Sequence, residues 1–138
     1  MSLLTKIPKG QTKRILIVEN DLLLALINKR YCEMLGHSVV ASVRDGKNAI
    51  EAVKIHNPDV ILMDIKIDGD VDGIETMHEI RKFSDVDVIY FTGNSEASVK
   101  AKAAETKMMA FYVKPISLED LKSILAYEKR KMNLKSDH

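Results

Sequence analysis

Apolar residues alternate between two rhythms along this chain. Short runs rich in β-branched residues recur at 14–18, 38–42, 59–63, 87–91 and 109–113. Longer stretches with apolar positions three and four apart lie between them. Strands alternating with helices predict βαβ units and a parallel sheet. Ile15-Leu16-Ile17-Val18 and Val60-Ile61-Leu62-Met63 are continuously apolar, as strands covered on both faces should be.

The helical stretches carry their own stripes and stops. Leu24, Ile27, Tyr31, Met34 and Leu35 fall on one face of the first, and Gly36 supplies its stop. Ala49, Ile50 and Val53 mark the second, which should end before Asn57-Pro58. Ile74, Met77 and Ile80 mark the third. The fourth, about 95–105, is alanine-rich with a weak apolar face. The fifth opens with Ser117 and Asp120 at capping-box spacing, followed by Leu118, Leu121, Ile124 and Leu125. The expectation is a (βα)₅ α/β domain at 13–130, with helices on both faces of a five-stranded sheet. Residues 1–12 are expected to be a flexible extension and 131–138 a tail.

Composition narrows the class. The 138 residues are 46% hydrophobic and 30% charged, with net charge +1. One ordinary globular domain fits, and no global field favours nucleic acid or acidic lipid. No segment approaches the ~18 apolar residues of a membrane helix, and no signal-peptide pattern opens the chain. With Cys32 as the single cysteine, a buried thiol and a cytoplasmic location are expected.

Ligands bind open parallel sheets at the carboxyl ends of the strands. There the first strand delivers Glu19-Asn20-Asp21, the third Asp64, the fourth Thr92-Gly93-Asn94 and the fifth Lys114-Pro115. A core needs none of these polar groups, and burying them unpartnered is costly. Each alone reads as a turn or cap residue; four strand ends together point to a site.

The stretches Arg14-Ile-Leu-Ile-Val-Glu-Asn-Asp21, Pro58-Asp-Val-Ile-Leu-Met-Asp-Ile65, Asp72-Gly-Ile-Glu75, Phe91-Thr-Gly93 and Phe111-Tyr-Val-Lys-Pro115 resemble receiver domains of two-component response regulators. The resemblance covers about residues 13–130. It implies the flavodoxin-like strand order 2-1-3-4-5 and a phosphorelay switch in which Asp64 takes a phosphoryl group from a phosphohistidine. Glu19, Asn20, Asp64 and the Lys66 carbonyl would hold Mg²⁺ or a similar ion such as Mn²⁺. Thr92 and Lys114 would contact the phosphoryl oxygens, Phe111 would be the switch aromatic, and Lys114-Pro115 would be cis. The implied partners are a sensor histidine kinase or phosphotransfer protein, a downstream target on the helix 4–strand 5–helix 5 face, and, separately, a second copy of the chain in a homodimer. Direct nucleic-acid binding, membrane contact and enzyme activity beyond slow self-catalysed phosphotransfer and dephosphorylation are not expected.

Residue chemistry agrees with these roles. A carboxylate repels an incoming phosphoryl group, and magnesium, which takes one or two carboxylates plus water and phosphate oxygens, relieves that repulsion. Lys114 adds a cation and Thr92 a small donor. The phosphodonor brings its own leaving group, so no general base is required. His37, His56, His78 and His138 all fall outside the strand-end set. Two new charge-assisted bonds, from Thr92 and Lys114, would contribute roughly 3–6 kcal/mol. Swinging a two-state equilibrium from 1:99 to 99:1 takes about 5.5 kcal/mol.

Several positions depart from the family pattern. Asn20 stands where an aspartate is usual, which predicts weaker magnesium binding, with Asp21 a candidate to compensate. The stretch from Asp64 to Gly73 is one residue longer than usual and lacks the common proline. Gly93 replaces an alanine, and Lys66 and Asn94 occupy positions that vary with hydrolysis rate. Asp68, Asp70, Asp72, Gly73 and Glu79 also match an EF-hand calcium pattern. An EF-hand needs a helix before its loop, whereas 60–63 reads as a strand, so a solvated acidic turn is expected. Two rival functions remain open: a binding module of this fold that never uses phosphate, and a metal-dependent phosphatase, disfavoured because Lys66 stands where its acid would be.

Overall fold

A computed structural model describes residues 12–94 and 96–127. Most of the expected N-terminal extension, the domain's end at 128–130, the tail, and Ser95 lie outside the described residues. Parallel strands and helices alternate: β1 (Arg14–Val18), α1 (Leu22–Met34), β2 (Ser38–Val43), α2 (Gly46–His56), β3 (Val60–Asp64), α3 (Gly73–Ile80), β4 (Asp87–Thr92), α4 (Ala97–Ala104), β5 (Ala110–Val113) and α5 (Leu118–Leu125). The sheet order is β2-β1-β3-β4-β5, as expected.

The three central strands carry unbroken apolar runs between their polar ends because each face has its own core. On one face Leu16, Val18, Ile61, Met63, Val88 and Tyr90 pack with residues of α2, α3 and α4. On the other, Ile15, Ile17, Leu62, Ile89 and Phe91 pack with residues of α1 and α5. Successive side chains point to opposite faces, so continuous apolar runs serve both. Cys32 is fully buried, and burial raises its thiol pKa to about 12.

Caps set most helix starts. Asp21, Asp45, Asp72 and Ser117 accept first-turn N–H groups of α1, α2, α3 and α5. At Asp72 the bond is reciprocal, with Glu75 accepting the Asp72 N–H. Asn57, at φ 45°, ends α2.

Two expectations need correction. The buried face of α1 is Ala25, Asn28, Cys32 and Leu35, while Leu24, Ile27, Tyr31 and Met34 flank it half-buried. Small side chains at the line of closest approach let the helix sit near β1 and β2, and the larger ones spread to either side. Helix α4 begins at Ala97, two residues later than expected. Its N-cap, Glu96, makes no side-chain cap hydrogen bond, and of its residues Ala103 alone is buried.

Candidate phosphoacceptor site

Strand register assembles the site. Val18 pairs with Met63, so Glu19 and Asp64 follow at the same level. Asp64 pairs with Phe91, and Thr92 pairs with Val113, which places Lys114 one residue further on. Two carboxylates, a hydroxyl and an ammonium thus emerge in one row at the carboxyl edge of the sheet. The Lys114 N–H donates to the Thr92 carbonyl at 2.8 Å, and the Lys114–Pro115 bond is cis.

Lys114 joins the two buried carboxylates. Its Nζ lies 2.8 Å from Asp64 Oδ2 and 2.9 Å from Glu19 Oε1. The Glu19 and Asp64 side chains are only 2% and 3% exposed. Two carboxylates face one ammonium, so the cluster carries a net negative charge. Burial pushes the Glu19 carboxyl above its ordinary pKa, against the opposing hydrogen bonds from Lys114 and the Asp21 N–H. Burial pulls the Lys114 ammonium down, but its bonds to Asp64 and Glu19 outweigh this and leave it raised.

Glu19 Oε2 accepts from Lys114 at 3.1 Å and from the Asp21 N–H at 3.0 Å. Oε1 is close to the ammonium but not along a hydrogen-bonding direction. It is buried without a hydrogen-bond partner. A buried acceptor with spare lone pairs, beside a second carboxylate and the nearby Asn20 amide, suits a hard cation that takes oxygen ligands. Among the described residues no three His, Cys, Asp or Glu side chains cluster as a metal site. Magnesium asks for fewer, since it is commonly held by one or two carboxylates with water and phosphate oxygens.

The flanking groups have defined partners. Thr92, 3% exposed, accepts the Asn94 N–H at 3.1 Å through Oγ1, which leaves its hydroxyl proton available to donate. The Lys66 N–H approaches Asp64 Oδ1 at 3.3 Å, while the Lys66 side chain is exposed. Asp21 is committed to capping, accepting from Leu23 and Leu24. Phe111 lies three residues before Lys114, half-buried, with its ring centroid 6.5 Å from that of Tyr90.

Three of the four acids of the calcium pattern have separate partners. Asp68 pairs with Arg44 at 3.0 Å, Asp72 and Glu75 form the α3 cap, and Glu79 pairs with Lys82 at 2.9 Å. Two residues beside the site were not read as part of it from the sequence. Asp68 accepts from Asn20 Nδ2 at 3.3 Å; its signal was the extra loop residue among acids. Asn28, 6% exposed, lines a cavity of about 120 Å³ together with Glu19 and Lys114; nothing in the helical pattern distinguished it.

The model of the response regulator receiver domain matches residues 15–126. The chain belongs to this family. As a receiver domain it is 34% identical over 112 residues to the transcriptional regulatory protein PdtaR of Mycobacterium tuberculosis, covering 79% of this chain and 53% of that protein. It is 32% identical over 121 residues to the autoinducer 2 sensor kinase/phosphatase LuxQ of Vibrio cholerae, covering 86% of this chain and 14% of LuxQ. Among solved structures, the N-terminal domain of a response regulator/sensory box/GGDEF protein from Carboxydothermus hydrogenoformans superposes with TM-score 0.72 at 28% identity, covering 82% of this chain and 90% of that one. The chain spans about half the length of PdtaR, and less of LuxQ. No helix among the described residues is long and apolar enough to cross a membrane.

Proposed function

We propose that this receiver domain is a phosphoacceptor switch of a phosphorelay, with Asp64 as the residue that takes the phosphoryl group. The observation that carries the reading is the buried Glu19–Lys114–Asp64 cluster, which draws on the ends of three different strands. An Asp64 carboxylate oxygen attacks phosphorus. The P–N bond of the phosphohistidine donor breaks as the new P–O bond forms, and the imidazole leaves with the bonding electrons.

Glu19, Asn20, Asp64 and the Lys66 carbonyl would hold a magnesium or manganese ion, which supplies charge neutralisation for the approach of two anions. Lys114 keeps its ammonium against the acceptor and balances charge on the transferred oxygens. Thr92 can turn its hydroxyl toward the phosphoryl group, and Phe111 fills space behind it.

The geometry changes the energy balance expected from the sequence. Lys114 already bonds Asp64 at 2.8 Å, so phosphorylation exchanges that bond and does not add one. The new bond is that of Thr92, about 1.5–3 kcal/mol, against about 5.5 kcal/mol for a complete swing. Phosphorylation alone therefore biases the switch partway, and a downstream partner completes it. The surface of α4, β5 and α5, with Ala101, Ala104 and Val113 exposed, is where we place that partner.

Incubation with acetyl phosphate and magnesium, followed by intact mass spectrometry, tests the reading. A labile gain of one phosphoryl mass, lost in Asp64→Ala, is the expected result. No adduct in the intact protein would favour a phosphate-independent binding module, the reading that Asn20 in place of an acid keeps open.

A further inference from the structure

Asn20 carries a particular difficulty as a cation ligand. A carboxylate offers oxygen at both prongs, whereas an amide offers oxygen at one and a positively polarised NH₂ at the other. An asparagine free to rotate would turn the wrong end toward a cation part of the time. In this chain the amide is not free. Its Nδ2 donates to Asp68 Oδ1 at 3.3 Å. The carboxylate can only accept, so it selects the NH₂ prong and leaves Oδ1 for the other side.

Asp68 is itself held in place. Its Oδ2 accepts from Arg44 Nε at 3.0 Å, and its backbone N–H donates to the Arg44 carbonyl at 3.1 Å. Asp68 also forms an isolated parallel bridge with Asp45. Next to it Gly69 has φ 93°, a conformation glycine adopts without strain. We propose that Asp68 is a positioning residue for the cation site. Through the Arg44–Asp68–Asn20 chain it fixes the Asn20 amide with its oxygen toward Glu19 and Asp64. The extra residue of the β3–α3 loop and the missing acid at position 20 are then one adaptation. This inference rests on the cation-binding reading above.

Titration with Mn²⁺, with free ion read by electron paramagnetic resonance, tests it on the full chain. Asp68→Ala should weaken Mn²⁺ binding by roughly 10-fold or more, the usual scale for loss of a residue that orients a metal ligand. In an Asn20→Asp background the Asp68→Ala effect should largely vanish, because a carboxylate needs no orienting. Circular dichroism melts establish that each variant is folded. Wild-type affinity in Asp68→Ala overturns the inference, and so does an equal loss from Asp68→Ala in the Asn20→Asp background, which would indicate charge without orientation. Failure of the wild-type chain to bind Mn²⁺ at all overturns the cation reading as well, which separates the two failures.

Discussion

Lys114 allows Glu19 and Asp64 to lie side by side out of water. Removing one member of a buried ionic cluster leaves charge uncompensated, at a typical cost of 3–5 kcal/mol. Lys114→Met should therefore lower stability at neutral pH by about 3 kcal/mol, and added magnesium should restore part of it. Urea denaturation with and without the ion measures both effects. At the opposite end of β1, His37 is a second residue with a specific cost. It is 7% exposed, and its Nδ1 accepts the Lys13 N–H at 2.9 Å. Burial and then the Lys13 charge lower its pKa to about 4. Below its ordinary value near 6.5 the unfolded chain takes up a proton that the folded chain refuses. Stability is therefore present at pH 7 and lost as pH falls toward 4. Between pH 7 and 5 this loss should be about 2 kcal/mol. His37→Gln, which keeps an acceptor but does not titrate, should lack that share of the decline in denaturation curves at the two pH values.

At the level of elements, the β3–α3 corner does most to shape the site. The Gly73 N–H donates to the Ile65 carbonyl at 2.7 Å. A Cβ at Gly73 would collide with the Asp64 carbonyl oxygen. Gly73→Ala should cost about 1–3 kcal/mol by overpacking and should reduce phosphoryl uptake, because the strain falls on the acceptor's own backbone. Asp72→Ala removes the cap alone and should cost about 1 kcal/mol with much less effect on uptake. Thermal melts paired with acetyl phosphate labelling separate the two. Elements of this kind differ in how openly the sequence displays them. The strands could be read because β1 and β3 are buried on both faces, which requires unbroken apolar runs. The face of α1 could not, because closeness to the sheet selected Ala25, Asn28 and Cys32 over larger neighbours. Leu22, Leu23 and Leu26 remain 69%, 65% and 63% exposed, so hydrophobicity alone pointed the wrong way. The start of α4 was hidden because no side chain caps it.

At the scale of the molecule, function depends on register. Each of Glu19, Asp64, Thr92 and Lys114 is an unremarkable strand-end residue in its own segment. They meet because parallel strands in the order β2-β1-β3-β4-β5 bring their carboxyl ends level. That convergence could be anticipated from where each apolar run stops. The Asp68–Asn20 contact could not, because it depends on how a glycine-containing loop folds back across the β2–α2 corner. The chain covers about half of PdtaR, and the proposed signal leaves through the surface of α4, β5 and α5. The claim on which all of this turns is the identity of the acceptor. Borohydride reduces an acyl phosphate on aspartate to homoserine, which marks the residue that carried it. After labelling with acetyl phosphate and magnesium, peptide sequencing by mass spectrometry should find homoserine at position 64 and an unchanged aspartate when magnesium is withheld. Homoserine at another acidic position, or an unaltered Asp64 in protein shown to carry phosphate, would contradict the account.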